Sequence, residues 1–327
     1  MLQESNMQNK EIYNKLPSEN RLVNNGVAEV SEDHSEAAQT VLRYELETFV
    51  CDGQYEKGLQ TVLEKFLLNL DSRNEQPGIW ISGFYGSGKS HLAKMLRTLW
   101  TDYQFTDGAS ARSLARLPDS VAHPLKELTL QGKRHGGLHA AAGKLGAGAG
   151  DKVRLALLGI IFKSKGLPEQ YNQAQLMLWL KNEGMLGPIQ TQLLAAGRSL
   201  AQELPHMYVS NHLAKALLAV RPGMANSEQE ARQLLKAQFP QVTDISNLQM
   251  VDAITQALSE GDNFPLTLVV LDEVQQYIGN DAEKAYAVQE MTETLCKHFT
   301  GKLLFIGTGQ SAPVSYTHLT LPTIYSV

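Results

Sequence analysis

A glycine-rich segment has the residue types and spacing for phosphate chemistry. Residues 83–90 read GFYGSGKS and fit the Walker A pattern GxxxxGK[ST] at every fixed position. Because glycine has no Cβ, backbone N–H groups at Gly86 and Gly88 can approach a phosphate closely. Lys89 is expected to reach the β- and γ-phosphates, and Ser90 to offer its hydroxyl to Mg²⁺. We therefore predict that this segment, the Walker A loop, binds ATP with Mg²⁺.

The elements on either side of the Walker A loop agree with this prediction. An apolar strand is predicted over 78–82, and a helix with one apolar face over about 89–100. The positive N-terminal end of that helix would point at the phosphates. The predicted nucleotide-binding residues are Gly83, Phe84, Tyr85, Gly86, Ser87, Gly88, Lys89, Ser90 and His91.

An acidic pair, Asp272-Glu273, follows the apolar run 266–271 and has the form of a Walker B motif. Asp272 is expected to hold Mg²⁺ together with Ser90. Glu273 would orient or deprotonate the attacking water, which favours hydrolysis, and Lys89 would also contribute to catalysis. In the alternative interpretation, the two acids only cap the next helix. The motif predicts an ATPase.

A third polar segment, Gly307 to Gln310, follows the apolar run 302–307. In many ATPases a polar residue at the tip of the strand beside Walker B senses the γ-phosphate. Thr308 and Gln310 are both candidates for this catalytic role, and the sequence does not choose between them. A plain polar loop is the alternative.

Apolar runs alternate with helical patterns around these motifs. The small residues 136–143 are expected to form a further strand. The helices predicted around the strands cover about 37–70 with a break at Asp52-Gly53, 89–100, 151–162 with Asp151 as its N-cap, and 281–299. This alternation predicts an α/β fold with a parallel sheet, a P-loop NTPase of the AAA+ or STAND-like kind.

Lys89 and Asp272 are 183 residues apart, far more than a minimal P-loop domain needs. We predict a large helical insertion over about 150–260, which would serve as a lid, an oligomer contact or a partner surface. Its expected helices span about 170–183, 188–202, 207–220, 227–238 and 246–259.

The two ends of the chain differ from the rest. Residues 1–40 are polar and predict a loosely held arm, with one apolar contact point near Leu22, Val23 and Val27. The ATPase core would span 41–311. Residues 312–327 resemble a translated sequencing-adapter tail, so we interpret them as non-native.

The amino-acid composition limits the classes of protein to which the chain can belong. The chain has 327 residues, of which 43% are hydrophobic and 19% charged, with a formal net charge of -5. This suits a globular protein and argues against a surface that grips nucleic acid throughout. The absence of an apolar leader or an 18-residue apolar run predicts a protein without a membrane span, in the cytoplasm. Two distant cysteines, Cys51 and Cys296, give no disulfide framework.

Two weaker patterns concern metal and DNA. His135 and His139 have the spacing of metal ligands on a helix, but two glycines between them make a metal site the less favoured interpretation. A modest basic cluster fits either a DNA-facing patch or, more readily, a solvated face. Its members are Lys126, Lys133, Arg134, His135, Lys144, Lys152 and Arg154.

Four segments together resemble the BrxC (PglY) family, the large P-loop proteins of bacterial BREX phage-defence systems. They are LPSENRLVNNGVAEV (16–30), WISGFYGSGKSHLAKML (80–96), KRHGGLHAAAGKLGAGAGDKVRLALLGIIFKSKGLPEQY (133–171) and VVLDEVQQYIG (269–279). The long third segment is much more specific than the Walker motifs.

The resemblance runs from about Leu16 to Gln310 and implies more than the motifs do. It implies ATPase activity within a BREX anti-phage complex. The implied partners are the BREX methyltransferase and alkaline-phosphatase-like protein, and the action takes place around foreign DNA. A homo-oligomer is also compatible with it. Members of the family are several times longer than this chain, so an arginine finger and the rest of the lid would lie outside it, and hydrolysis by the fragment could be weak.

Overall fold

The computed structural model describes residues 35–72, 78–145, 152–310 and 323–326. The predicted apolar contact point near Leu22 lies outside these ranges, as does Asp151, the predicted N-cap. The first helices are α1 Glu36–Glu47, α2 Gly53–Ser72, α3 Lys89–Thr101, α4 Ala111–Leu114, α5 Asp119–Arg134, α6 Val153–Ser164 and α7 Tyr171–Asn182. The later ones are α8 Leu186–Ala195, α9 Leu200–Glu203, α10 Asn211–Val220, α11 Glu228–Gln238, α12 Asn247–Leu258, α13 Val274–Ile278 and α14 Ala282–Phe299.

The strands form one sheet, and every pairing in it is parallel. They are β1 Ile79–Ser82, β2 Leu138–Lys144, β3 Leu266–Asp272, β4 Leu303–Gly309 and β5 Thr323–Ser326, in the order β2-β3-β4-β1-β5. The α/β class, the parallel sheet and the four strands predicted from apolar runs are confirmed. The order places β4 between β1, which precedes the Walker A loop, and β3, which ends in the Walker B acids.

Helices cover both faces of the sheet, which explains the continuous apolar runs of its strands. Successive residues of a strand point to opposite faces. Val269 and Leu271 accordingly pack with α6, α12 and α14 in one core, whereas Leu268 and Val270 pack with α2, α3 and α5 in the other. The indole Nε1 of Trp100 donates a buried 3.0 Å hydrogen bond to the carbonyl of Leu266, which fixes the end of α3 against β3.

Between α6 and α12 the chain forms a helical module with its own hydrophobic cluster. The cluster runs from Leu176 to Phe239 and contains no strand residue. The predicted insertion of about 150–260 is wider, because it includes α6 and α12, whose apolar residues pack in the core against the sheet. The helices that form this separate module are therefore α7 to α11.

Two helices predicted in this region have different bounds. The helix predicted over 188–202 is interrupted, because Gly197 adopts a left-handed φ of 70° and Ser199 then caps the short helix α9. The helix predicted over 207–220 begins only at Asn211, where the Ser210 hydroxyl accepts from the N–H of Leu213. Helix α1 begins at Glu36, so the predicted arm of 1–40 overlaps the first turn of a helix.

The end of the chain contributes backbone to the sheet. Strand β5 pairs in parallel with β1 at its outer edge, with an irregular register between Trp80 and Ile81. The interpretation of 312–327 as non-native stays a prediction. Among the residues that the structure describes, no helix has the length and apolar character needed to cross a membrane.

Candidate functional site

The carboxyl ends of four parallel strands meet at one edge of the sheet, and the Walker motifs lie there. Ser82, which precedes the Walker A loop, is in register with Gly309, and Lys144 is in register with Asp272. Ligands in open α/β sheets bind in the crevice outside these strand ends. A cavity of about 580 Å³ occupies this edge and is lined by both motifs.

The Walker A loop has the backbone that its glycines were predicted to permit. Gly86 and Gly88 have φ values of 81° and 86°, in the left-handed region that side chains disfavour. Gly88 is also the N-cap of α3, and no side chain caps the free N–H groups of this 13-residue helix. The uncapped N-terminus at the cavity suits a phosphate group.

Lys89 folds back over its own loop. Its ammonium donates to the carbonyls of Gly83 and Phe84 at 2.8 and 2.9 Å. Burial lowers the pKa of Lys89, and the nearby Asp272 carboxylate opposes that shift. A partly desolvated cation that is held by neutral carbonyls, with a carboxylate nearby, has the chemistry to bind an anionic ligand with its metal ion.

Tyr55 braces the Walker A loop from α2, a contact that sequence reasoning missed. Its hydroxyl donates to the carbonyl of Ser87 at 3.1 Å. The same hydroxyl lies where a side chain at position 88 would be, since a Cβ on Gly88 would stand 1.7 Å from it. Gly88 is therefore required both by its φ and by Tyr55.

Asp272 is buried at the end of β3, with 2% of its surface exposed. Its Oδ1 accepts a short hydrogen bond from the Thr308 hydroxyl on β4 and a 3.1 Å bond from the N–H of Glu273. Thr308 Oγ1 in turn accepts from the same N–H at 3.0 Å. Thr308, one of the two predicted sensor candidates, thus orients the Walker B carboxylate.

Glu273 has an unusual backbone conformation, with a φ of 59° in the left-handed region. Such strain in a residue with a side chain is concentrated at functional sites. Its Oε1 lies 3.4 Å from the ammonium of Lys144, at the end of the adjacent strand β2. Lys144 was predicted only as part of a basic cluster, and the structure places it against the predicted catalytic carboxylate.

Gln310, the second sensor candidate, lies at the exposed end of β4. Its backbone N–H donates a short hydrogen bond to the Oε1 of Gln275 on α13. The Gln310 residue lines the cavity together with Thr308 and Gly309. Because the Thr308 hydroxyl bonds to the Walker B residues, Gln310 is the candidate with its side chain open to a ligand.

The cavity includes most of the predicted site residues. Those that line it are Tyr85, Gly86, Gly88, Lys89, Ser90, His91, Asp272, Glu273, Thr308 and Gln310. Gly83, Phe84 and Ser87 do not line it: the carbonyls of the first two accept from Lys89, and that of Ser87 accepts from Tyr55. Their contribution is to hold the shape of the loop.

A second wall of the cavity was not foreseen from the sequence. Glu45 of α1 lines it although only 3% of the residue is exposed. The Lys94 ammonium lies 2.6 Å from the Glu45 Oε2, so the two side chains form a largely buried ion pair at this wall. Beside it, the His91 ring packs edge-on against Phe49, with ring centroids 5.7 Å apart. Burial lowers the pKa of His91, so its imidazole is neutral near pH 7.

The weaker sequence patterns have local partners. Lys152 and Arg154 lie 3.6 and 3.1 Å from Asp244, and Lys144 faces Glu273, so the predicted basic cluster does not form one patch. His139 pairs with the Ser164 hydroxyl at 2.9 Å. Within the described ranges, no group of three or more His, Cys, Asp or Glu side chains could hold a metal ion by itself.

The chain matches no protein-family model, no curated protein and no solved structure.

Proposed function

We propose that this chain is a P-loop NTPase that binds Mg²⁺-ATP at the Walker A loop and hydrolyses it. The observation that carries the proposal is that Lys89 and the uncapped N-terminus of α3 share one cavity with Asp272 and Glu273. A cationic loop beside a buried carboxylate suits a triphosphate and the divalent cation that accompanies it. The strand order supports the same class, because it brings motifs 183 residues apart to one sheet edge.

Each residue has a defined task in this proposal. Lys89 would exchange the carbonyls of Gly83 and Phe84 for phosphate oxygens, and Ser90 and Asp272 would hold Mg²⁺. When bound, that ion would supply positive charge against the charge that develops on the phosphates. Glu273 accepts a proton from the attacking water or orients it, and the Gln310 side chain contacts the γ-phosphate.

Thr308 is a positioning residue in this scheme. Its hydroxyl donates a hydrogen bond to the Asp272 carboxylate and accepts one from the backbone N–H of Glu273. Thr308 therefore aligns both acidic residues. Lys144 lies 3.4 Å from the Glu273 Oε1 and would compete with the attacking water for that oxygen.

We further propose, from the sequence resemblance, that the ATPase acts in a BREX anti-phage complex in the cytoplasm, with the methyltransferase and the alkaline-phosphatase-like protein as partners. The helical module of α7 to α11 is the surface available for such partners or for a second copy of the chain. A non-catalytic scaffold that only binds ATP is the alternative. Direct contact with DNA would use Lys133 and Arg134, exposed at the end of α5.

Thermal shift with Mg²⁺-ATP tests the binding site. We expect the full chain to be stabilised by Mg²⁺-ATP and the Lys89→Ala variant not to be. Lys297→Ala, on the exposed side of α14, is the matched control and should respond like the unmodified chain. A folded chain that gives no shift would contradict the proposed function.

Turnover separates the ATPase from the scaffold. Loss of a general base typically costs about 10²–10⁴-fold in rate. Glu273→Gln should therefore lower phosphate release by about 10²-fold or more while ATP binding is kept, and Glu283→Gln, in the first turn of α14, should not. Turnover that is unaffected by Glu273→Gln would remove the catalytic assignment.

A further inference from the structure

Glu45 lines the cavity but has no role in the proposed binding and hydrolysis of the triphosphate. It is a carboxylate, so a phosphate would be repelled by it. It is almost fully buried, which carries a desolvation cost, and the Lys94 ammonium 2.6 Å from its Oε2 offsets part of that cost. A ligand that donates an N–H or O–H group to the Glu45 carboxylate would offset more of it.

The position of Glu45 identifies which part of a nucleotide could reach it. Its helix belongs to the core formed with α2 and α3, whereas α13, whose Gln275 and Gln276 line the opposite wall, belongs to the core on the other face of the sheet. The Walker A loop and Asp272 lie between these walls. If a triphosphate binds to the loop, the nucleoside attached to it would therefore lie against one of these two walls.

The wall around Glu45 has the character of a nucleoside site. His91 directly follows Ser90 on α3, and its ring lines the cavity. Phe49 supports that ring edge-on and is itself packed edge-on against Tyr55 at 6.1 Å. On the α13 wall, Gln275 already uses its Oε1 for the N–H of Gln310. On the other wall, Glu45 is a buried carboxylate acceptor at the cavity, with the Lys94 ammonium as its charged neighbour.

We propose that Glu45 recognises the nucleoside part of the bound nucleotide by accepting a hydrogen bond from an amino or a hydroxyl group, with the His91 ring beside it. The inference rests on the proposed function, since it requires a triphosphate on the Walker A loop. Lys94 lies 2.6 Å from Glu45 and holds its carboxylate at the cavity wall. Glu45 is a binding residue and takes no part in the reaction itself.

The test measures binding of four ligands to the full chain by calorimetry, all with Mg²⁺. They are ATP, 2′,3′-dideoxy-ATP, which lacks both ribose hydroxyls, purine riboside triphosphate, which lacks the amino group, and inorganic tripolyphosphate, which lacks the nucleoside. Glu45→Gln should lower the affinity for ATP by about 10-fold, because a neutral amide oxygen is a weaker hydrogen-bond acceptor than a carboxylate. It should leave the affinity for tripolyphosphate unchanged. Glu47→Gln, on the same helix but exposed and paired with Arg43, is the matched control and should change neither.

The analogues identify the donor group. If the amino group donates, purine riboside triphosphate binds the unmodified chain about as weakly as ATP binds Glu45→Gln; if a ribose hydroxyl donates, 2′,3′-dideoxy-ATP does so. Equal affinity of the unmodified chain for all three nucleotides would overturn the proposal, and this holds even if Glu45→Gln does not fold. An equal loss for ATP and tripolyphosphate in Glu45→Gln would also overturn it, because Glu45 would then serve the phosphate or the metal.

Failure of the proposed function gives a different result. In that case tripolyphosphate and ATP would bind neither the unmodified chain nor Lys89→Ala, and both proposals would fall together. If tripolyphosphate binds and Lys89→Ala abolishes its binding, only the role of Glu45 is in question.

Discussion

The hydroxyl of Tyr55 donates a 3.1 Å hydrogen bond to the carbonyl of Ser87, although the two residues are 32 positions apart. One side chain at the start of α2 thus holds the middle of the Walker A loop. It also fills the space that any Cβ at Gly88 would need. The shape of the loop therefore depends on a helix that precedes it and on the loop's own glycines.

Removal of this hydroxyl should loosen the loop. A net hydrogen bond contributes about 1 kcal/mol, so we expect Tyr55→Phe to lower the free energy of unfolding by about that amount. If the bond matters mainly for the bound loop, ATP affinity should fall by about fivefold. Urea unfolding and calorimetry measure the two effects. Tyr286→Phe, at a position that is 63% exposed, is the control, and equal behaviour of the two variants would contradict the bracing role.

The hydroxyl of Thr308 should matter more, because its partner is a buried carboxylate. Thr308→Val keeps the shape of the side chain but leaves Asp272 without its β4 donor. We expect a loss of about 1–3 kcal/mol in the free energy of unfolding, together with a higher Mg²⁺ requirement for turnover. Thr308→Ser retains the hydroxyl and should restore most of both. A valine variant with unchanged Mg²⁺ dependence would show that Thr308 does not position Asp272.

Lys144 should restrain Glu273. The pair is partly exposed on both sides, so it is worth about 0.5 kcal/mol, which corresponds to about a twofold change in rate. We expect Lys144→Ala to raise ATP turnover by about this factor without a change in ATP affinity. Lys133→Ala, at the exposed end of α5, serves as the control. Reduced turnover in Lys144→Ala would mean that the ammonium assists the reaction.

The stability of the protein should depend on pH through His139. Burial, with smaller contributions from Lys165 and Arg97, lowers the pKa of His139 to about 4. In the unfolded chain the value is about 6.5, so below that pH the unfolded state binds a proton that the folded state does not. The stabilisation by the neutral ring is thus complete above pH 6.5 and is lost as the pH falls to about 4, by at most about 3 kcal/mol.

Urea unfolding between pH 4 and 7 measures this loss. In His139→Asn the pH dependence should be much smaller, since the titrating group is gone. His123→Asn, at an exposed position of α5, should keep the dependence of the unmodified chain. A similar slope in all three proteins would assign the effect to other groups.

Much of the fold could be predicted because the signals are local. The apolar runs at 266–271 and 302–307 became β3 and β4, since strands buried on both faces need no polar positions. The left-handed φ of Gly86 and Gly88 likewise follows from the residue type. The break within 188–202 was missed because Gly197 sits in a pattern that is otherwise helical.

The strands, the Walker A loop and the pair of acids were predictable, because each depends on residues close together in the chain. Contacts between distant residues depend on how the strands and helices pack. Thr308 contacts Asp272 because β4 lies beside β3, and Lys144 faces Glu273 because β2 lies on its other side. Glu45 reaches the cavity only because α1 packs in the same core as α3. Such contacts follow from strand order and helix packing, which the apolar pattern of a single segment does not encode.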